Sequence, residues 1–166
     1  MSTILTEIFK HNLWANLRLL DACEKLSDKQ LDATFPGTYG TIRHTLVHIA
    51  SAEELYMHMM LGRPRPPRRE DEGFKSFEQL RDLLTTTGQE FIRLAQNNAI
   101  PESYQDIEAN EVISGRMVVI LIINHATEHR AHINSIFGNL GLEPTGIDGW
   151  AHGYTHDLIK ITRPDQ

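Results

Sequence analysis

A chain of 166 residues and 18.9 kDa, 40% of them apolar, is of the size of one domain and can bury a real core. Its formal charge of −6 and pI near 5.8 argue against a partner bound through a nucleic-acid backbone, which needs a broad basic surface. No apolar run approaches the ~20 residues that span a bilayer, no signal-peptide pattern opens the chain, and Cys23 stands alone, so a cytoplasmic protein without membrane or disulfide is expected.

Over residues 3–25, Ile4, Leu5, Ile8, Phe9, Leu13, Trp14, Leu17, Leu20 and Ala22 recur at three- and four-residue steps, which predicts an amphipathic helix of about six turns. His11 sits near its middle and is read as half-exposed or on a pocket rim. Residues 27–40 form a connector closed by Pro36-Gly37-Thr38-Tyr39-Gly40, residues that end regular structure. Thr41 is the expected N-cap of a second helix that runs to about Leu61 and stops at Gly62. Its His48 shares a helical face with Ala52, Leu55 and Met59 and so looks inward. His44, one turn earlier at the helix start, is expected to be exposed, and His58 with Glu54 is read as an exposed i,i+4 pair.

Residues 62–75 mix Arg63, Arg65, Arg68 and Arg69 with three prolines and with Glu70, Asp71 and Glu72, the composition of a solvated loop. Ser76 with Gln79 has the pattern of a capping box for a third helix reaching about Asn97, weakened by roughly 1 kcal/mol at Gly88. After Ile100-Pro101, the residues Tyr104, Ile107, Val112 and Ile113 around Ala109-Asn110 suit a small hairpin. Ser114 is the expected cap of a fourth helix ending near Asn139, with Gly141 as its stop. The tail from Leu142 holds Pro144, Gly146, Gly149 and Gly153 and is expected to be mostly irregular with a short terminal turn, with His152 and His156 without a supporting apolar stripe. Four long helices predict an all-α four-helix bundle.

The fourth helix carries the chemistry. His125 and His129 lie one turn apart in an apolar run from Val118 to Ile136, which turns both imidazoles toward the core. A buried ring without a partner costs on the order of 1–3 kcal/mol, so these two are either hydrogen-bonded core histidines or ligands of a shared cation, for which imidazole nitrogen is well suited. A third ligand would decide between them. His48, inward on the second helix, can meet the pair in the bundle interior, and three imidazoles leave at least one coordination position open for water or substrate.

The same residues resemble a known family. Trp14-Ala15-Asn16, Gly40-Thr41-Ile42, Leu46-Val47-His48-Ile49 with Ala52-Glu53, Asn124-His125-Ala126-Thr127-Glu128-His129-Arg130 and the stretch 138–141 are similar to motifs of the DinB/YfiT-like metalloproteins, over about residues 12–144. The resemblance implies an up-up-down-down four-helix bundle, often a homodimer, holding a divalent metal through His48, His125 and His129: zinc or nickel first, manganese or iron next. It also implies a small-molecule substrate and, as in characterised relatives, transfer of a low-molecular-weight thiol of the bacillithiol, mycothiol or glutathione type. The alternatives are a non-catalytic metal-stabilised stress-response or binding module and a metal-dependent hydrolase. Where many members follow the last histidine with Arg-Gly-Gln, this chain keeps Arg130 and has Ala131 and His132.

One rival pattern overlaps the site. His125-Ala126-Thr127-Glu128-His129 matches H-x-x-E-H, the pattern of inverted zinc proteases. That chemistry needs a further ligand downstream, where 37 residues remain and Glu143 is the sole glutamate, so Glu128 is expected to be a solvated helix residue.

Overall fold

The computed structural model describes residues 3–106 and 110–160. Four long helices dominate: α1 Ile4–Cys23, α3 Ile42–Met60, α5 Phe77–Gln96 and α6 Gly115–Asn139. Three of them begin where a hydroxyl satisfies an orphan backbone N–H. Thr3, Thr41 and Ser76 accept from the backbone N–H groups of Thr6, His44 and Gln79, whereas Ser114 precedes α6 without such a bond. Gly62 and Gly141, at φ +62° and +73°, take the left-handed backbone that ends α3 and α6.

The core has two halves, and their membership gives the helix directions. At one end Leu19, Leu20 and Cys23 of α1 pack with Ile42, Leu46 and Ile49 of α3, Leu80 and Leu84 of α5, and Ile133, Ile136 and Phe137 of α6. At the other, Phe9 meets Met57, Met60, Phe91, Leu94, Val118 and Ile122. Thus α1 and α6 run one way and α3 and α5 the other. Around the bundle the order is α1, α6, α3, α5, which reads up-up-down-down. Along the chain the directions run up, down, down, up, so the link from α3 to the parallel α5 must travel back along the bundle. A Cβ on Gly88 would come within 2.7 Å of Leu13, so the glycine that weakens α5 is what lets α1 lie close against it.

Between α5 and α6 the expected hairpin is present: β1 Ser103–Asp106 pairs antiparallel with β2 Glu111–Ser114, Tyr104 opposite Ile113. Its expected turn at Ile107 and Ala109 lies outside the described residues. The connectors are more ordered than their composition suggests. They hold α2 Asp28–Leu31, α4 Arg69–Glu72 and α7 Gly149–Thr155. A full Ser27–Gln30 capping box starts α2 and the Asp148 carboxylate caps α7. The expectation of a solvated loop over residues 62–75 is corrected accordingly, while the tail is irregular on either side of α7. Arg69 holds Glu54 by a two-pronged bond, 2.7 Å at each prong, and α7 rests its His152 on the Trp14 ring of α1, 5.0 Å between centroids.

Between the two core halves lies a polar layer. The Glu53 carboxylate, 1% exposed, accepts from Asn12 Nδ2 (2.8 Å), Asn16 Nδ2 (2.6 Å) and Thr87 Oγ1 (3.2 Å). Both carboxamide oxygens in turn accept from Arg130 Nη1, at 2.8 and 2.7 Å. Each asparagine therefore bridges a buried acid to a buried guanidinium, and the layer joins all four long helices. Burial pushes the Glu53 carboxyl up and the Arg130 guanidinium down to about 10, each opposed by the other's charge. Removing one partner strands the other. Arg130→Met is expected to cost about 3–5 kcal/mol of stability, read as a lower urea midpoint, while Glu53→Leu combined with Arg130→Met should cost less than the sum of the two single changes.

Candidate metal centre

The neighbouring antiparallel helices α3 and α6 bring three rings together. His48 on α3 and His125 and His129 on α6 have centroid separations of 4.7, 4.6 and 4.4 Å. One ligand nitrogen from each lies within 4.8 Å of the other two, and no other such group of three or more His, Cys, Asp or Glu occurs among the described residues. The polar layer sets the register of α6. Arg130, pinned to Asn12 and Asn16 of α1, fixes which way the helix is rotated, and that rotation turns the residue before it, His129, toward α3.

The segment with the composition of a solvated loop supplies the most informative neighbour. Helix α4 docks on α3 through the Arg69–Glu54 fork, and Glu70 then reaches the histidines. His48 Nδ1–H donates to Glu70 Oε1 at 2.8 Å, and Ser51 Oγ donates to Glu70 Oε2 at 2.6 Å. Ser51 Oγ also accepts from the Arg69 backbone N–H at 3.2 Å. Burial alone would raise the Glu70 carboxyl, but the bonds from Ser51 and His48 outweigh it and hold the group below the usual carboxylate range. A carboxylate on the far nitrogen of an imidazole fixes its tautomer, which leaves the His48 Nε2 lone pair aimed at the centre.

The donor set fits a divalent cation. His48 Nε2 and His125 Nε2 stand 2.9 Å apart, and nitrogens sharing one tetrahedral zinc at ~2.0–2.1 Å lie about 3.3 Å from each other. Without a cation, the lone pair on His48 Nε2 obliges His125 Nε2 to carry the proton. His125 Nδ1 is then a buried acceptor with no partner among the described residues, and His129 Nδ1 is equally without one. Burial first, then the charges of the neighbouring imidazoles, lowers both His125 and His129 to about 4, so both rings are neutral near pH 7, the form in which imidazole ligates a cation. A cavity of about 210 Å³ opens on His48, His125 and Glu70, with Tyr56 and Leu55 in its wall.

Tyr39, from the connector before α3, covers another side. Its ring stacks on His48 at 4.1 Å and 19° and meets His129 edge-on at 4.7 Å, while its Oη lies 3.2 Å from His48 Nδ1. Nothing local in the sequence marks Tyr39 or Glu70, because each acts only through contacts made by the fold. The remaining histidines lie apart from the trio or add nothing to its ligand set. His44 is exposed and stacks on Tyr39, as its position at the helix start implies. His58 donates from Nδ1 to the Pro64 carbonyl at 2.7 Å, and Glu54 is buried against Arg69; the expected exposed pair between them does not form. His132 approaches His129 at 5.3 Å. His11, whose Nε2–H donates to the Ile147 carbonyl, forms an aromatic cluster with Trp14, His152 and His156. Glu128 and Glu143 are exposed, which leaves the protease pattern without its extra ligand.

The sequence model of the DinB family matches residues 1–160. Among solved structures, the chain is similar to YfiT from Bacillus subtilis, described as a probable metal-dependent hydrolase with an unusual four-helix bundle topology. The TM-score is 0.65 at 18% identity, over 82% of this chain and 87% of that one, a likeness of fold. No curated protein matches the sequence.

Neutral, buried imidazoles give the metal-free protein a pH dependence of definite sign. Folding lowers His125 and His129 from 6.5 to about 4, so between those values the unfolded chain binds more protons. Their contribution is fully present above pH 6.5 and is lost as the pH falls toward 4. The urea midpoint of chelator-treated protein should drop across that window, with a shallower slope in His129→Gln; parallel slopes would refute this assignment.

Proposed function

The chain belongs to the DinB family, and we propose that it is a divalent-metal-dependent enzyme acting on small molecules, a thiol S-transferase, with His48, His125 and His129 as its metal ligands. The observation that carries this reading is the open side of the trio: His48, held by a carboxylate, and His125 border a cavity, and no fourth His, Cys, Asp or Glu joins the three histidines among the described residues. Structural sites are closed, and catalytic sites keep a position open. Bound there, a divalent cation would supply Lewis acidity that favours the ionised form of a thiol or of water.

The chain's own residues would do the rest. Glu70 accepts the His48 Nδ1 proton and so keeps Nε2 a donor of electrons, and Ser51 steadies the second oxygen of that carboxylate. Leu55, Pro66 and Pro67 exclude water from part of the wall, and Arg68 places positive charge beside it, which suits a thiol cofactor that bears carboxylates. In the overall reaction a sulfur–carbon bond forms, the bond from that carbon to its leaving group breaks, and the thiol proton is released. Hydrolysis is the second reading. It draws on the description of YfiT, and it differs in needing no thiol.

Protein purified without an affinity tag or chelator is expected to contain near one divalent ion per chain by elemental mass spectrometry. His48→Ala and His129→Ala should lose it and His152→Ala should keep it; full occupancy in His129→Ala would refute the ligand set. Glu70→Gln should keep the fold but weaken zinc binding by about 10–100-fold, the usual effect of removing the carboxylate that orients a metal-bound histidine. Turnover of an aryl halide only when thiol is added would support transfer, and ester cleavage without thiol would favour hydrolysis.

A further inference from the structure

The connector that returns along α3 is anchored at its two ends and tied in its middle by polar contacts. Leu61 packs on the core half that holds Phe9, and Phe74 on the half that holds Leu20, with the Arg43 guanidinium 5.2 Å over its ring. Between these anchors, no residue from 62 to 73 is buried. Gly62 and Gly73 bound the stretch at φ +62° and +69°, with nothing within 4 Å of where a Cβ would stand, so the chain can swing at both points without a clash. A segment that buries so little apolar surface opens locally at small cost, far below that of unfolding the bundle.

Its polar ties lead to different places. Arg69 forks onto Glu54, and the Pro64 carbonyl accepts from His58 Nδ1–H, both away from the histidine trio. Glu70 instead accepts from Ser51 Oγ and from Nδ1–H of His48, a candidate metal ligand. The same segment supplies Pro66, Pro67, Arg68 and Glu70 to the wall of the cavity at the histidines, so lifting it would open the trio to solvent.

The strength of the Glu70 tie depends on what His48 carries on its other nitrogen. A cation on Nε2 draws electron density from the ring and makes Nδ1–H a stronger donor, so that the bond joins a carboxylate to an imidazole that shares positive charge. The Arg69 fork and the Pro64 bond have no such dependence. By linkage, the factor by which the cation favours closure equals the factor by which the closed segment tightens its hold on the cation.

We propose that residues 63–72 form a metal-gated strap: cation occupancy of the trio favours its closed position through His48 and Glu70, the metal-free chain opens it more often, and the Arg69–Glu54 fork sets the closure common to both states. The cavity wall is then most complete when the centre is loaded. The inference concerns regulation of the site invoked by the metal-enzyme reading and rests on that reading for the cation.

Trypsin can read the strap in the full-length protein. Arg63 and Arg65 precede proline, a junction that trypsin does not cut, so within residues 62–73 the cleavable bonds follow Arg68 and Arg69. When reclosing is fast relative to cleavage, the rate there follows the open population. Cleavage after Arg68 and Arg69, located by mass spectrometry, should be about tenfold slower with saturating zinc than after chelation, inside the ~5–150-fold range of coupled sites. A free peptide of residues 60–76, cut equally with and without zinc, controls for effects on the protease. Glu70→Gln, at zinc concentrations that metal content shows to fill it, should be cut within about twofold of its own metal-free rate, because the coupling bond is gone. Glu54→Gln should be cut faster than wild type in both states and still show about tenfold protection, because its tie is independent of the metal. Circular dichroism checks the fold of each variant, and Ser51→Ala, a smaller change that loosens Glu70, should lower the protection to about threefold.

Wild-type protein that holds zinc yet is cut at one rate with and without it would overturn the strap and leave the metal centre standing. So would about tenfold protection persisting in zinc-filled Glu70→Gln, the result expected if zinc only stabilised the fold as a whole. Wild-type protein that takes up no zinc would overturn the metal reading itself, and the coupling with it.

Discussion

The bundle depends on one interaction, the bridging of a buried glutamate to a buried arginine by two asparagines. A carboxylate and a guanidinium at 1% and 3% exposure are each expensive to desolvate, and the arrangement is tolerable only because their hydrogen-bonding capacity is met by Asn12, Asn16 and Thr87. Apolar contacts would permit the four helices to slide or rotate with small loss. A polar layer does not, because a shift of one helix leaves several groups unpaired at once. The geometry of the histidine trio follows from this. His129 is the neighbour of Arg130 on α6, and His48 lies on α3 among the residues of the first core half, little more than one turn before Glu53.

The motifs that give the family resemblance divide along the same line. His48, His125 and His129 belong to the candidate centre, while Asn16, Glu53 and Arg130 belong to the polar layer. The pattern therefore reports a scaffold and a cluster of histidines together. The side chains that differ from the commoner pattern, Ala131 and His132, lie in neither group: Ala131 is exposed and His132 touches His129 from the side.

Much of the fold was legible in the sequence because its long helices announce themselves by period and by caps. Thr41 and Ser76 cap where expected, Gly62 and Gly141 stop where expected, and the inward face of His48 follows from its spacing to Ala52, Leu55 and Met59. The three histidines were legible for the same reason, being polar residues on apolar stripes. Asn12 and Asn16 carry that signal too, since they share the stripe of Phe9, Leu19 and Cys23, and asking which polar residues lie on an inward face would have found them. Glu70 and Tyr39 carry no such signal. Glu70 sits among Arg68, Arg69, Asp71 and Glu72 in a run whose composition is that of a wet surface, and only the non-local fork from Arg69 to Glu54 turns it inward. Of α7 no more than a short turn was expected, because its stabilising contacts, from Trp14 and His11, come from the other end of the chain.

The parallel course of α3 and α5 has a further consequence. A short turn can join antiparallel helices, but the link between parallel ones must retrace the helix length, here 19 residues or about 28 Å. That return passes over the histidines, and it brings Arg65, Pro66, Pro67 and Glu70 with it. The topology thus divides the labour: the helices hold the histidines and the buried layer, while one surface crossing, tied down at Glu54 and Ser51, supplies a wall of the cavity beside them. That wall can be changed within a single connector, with the core left as it is.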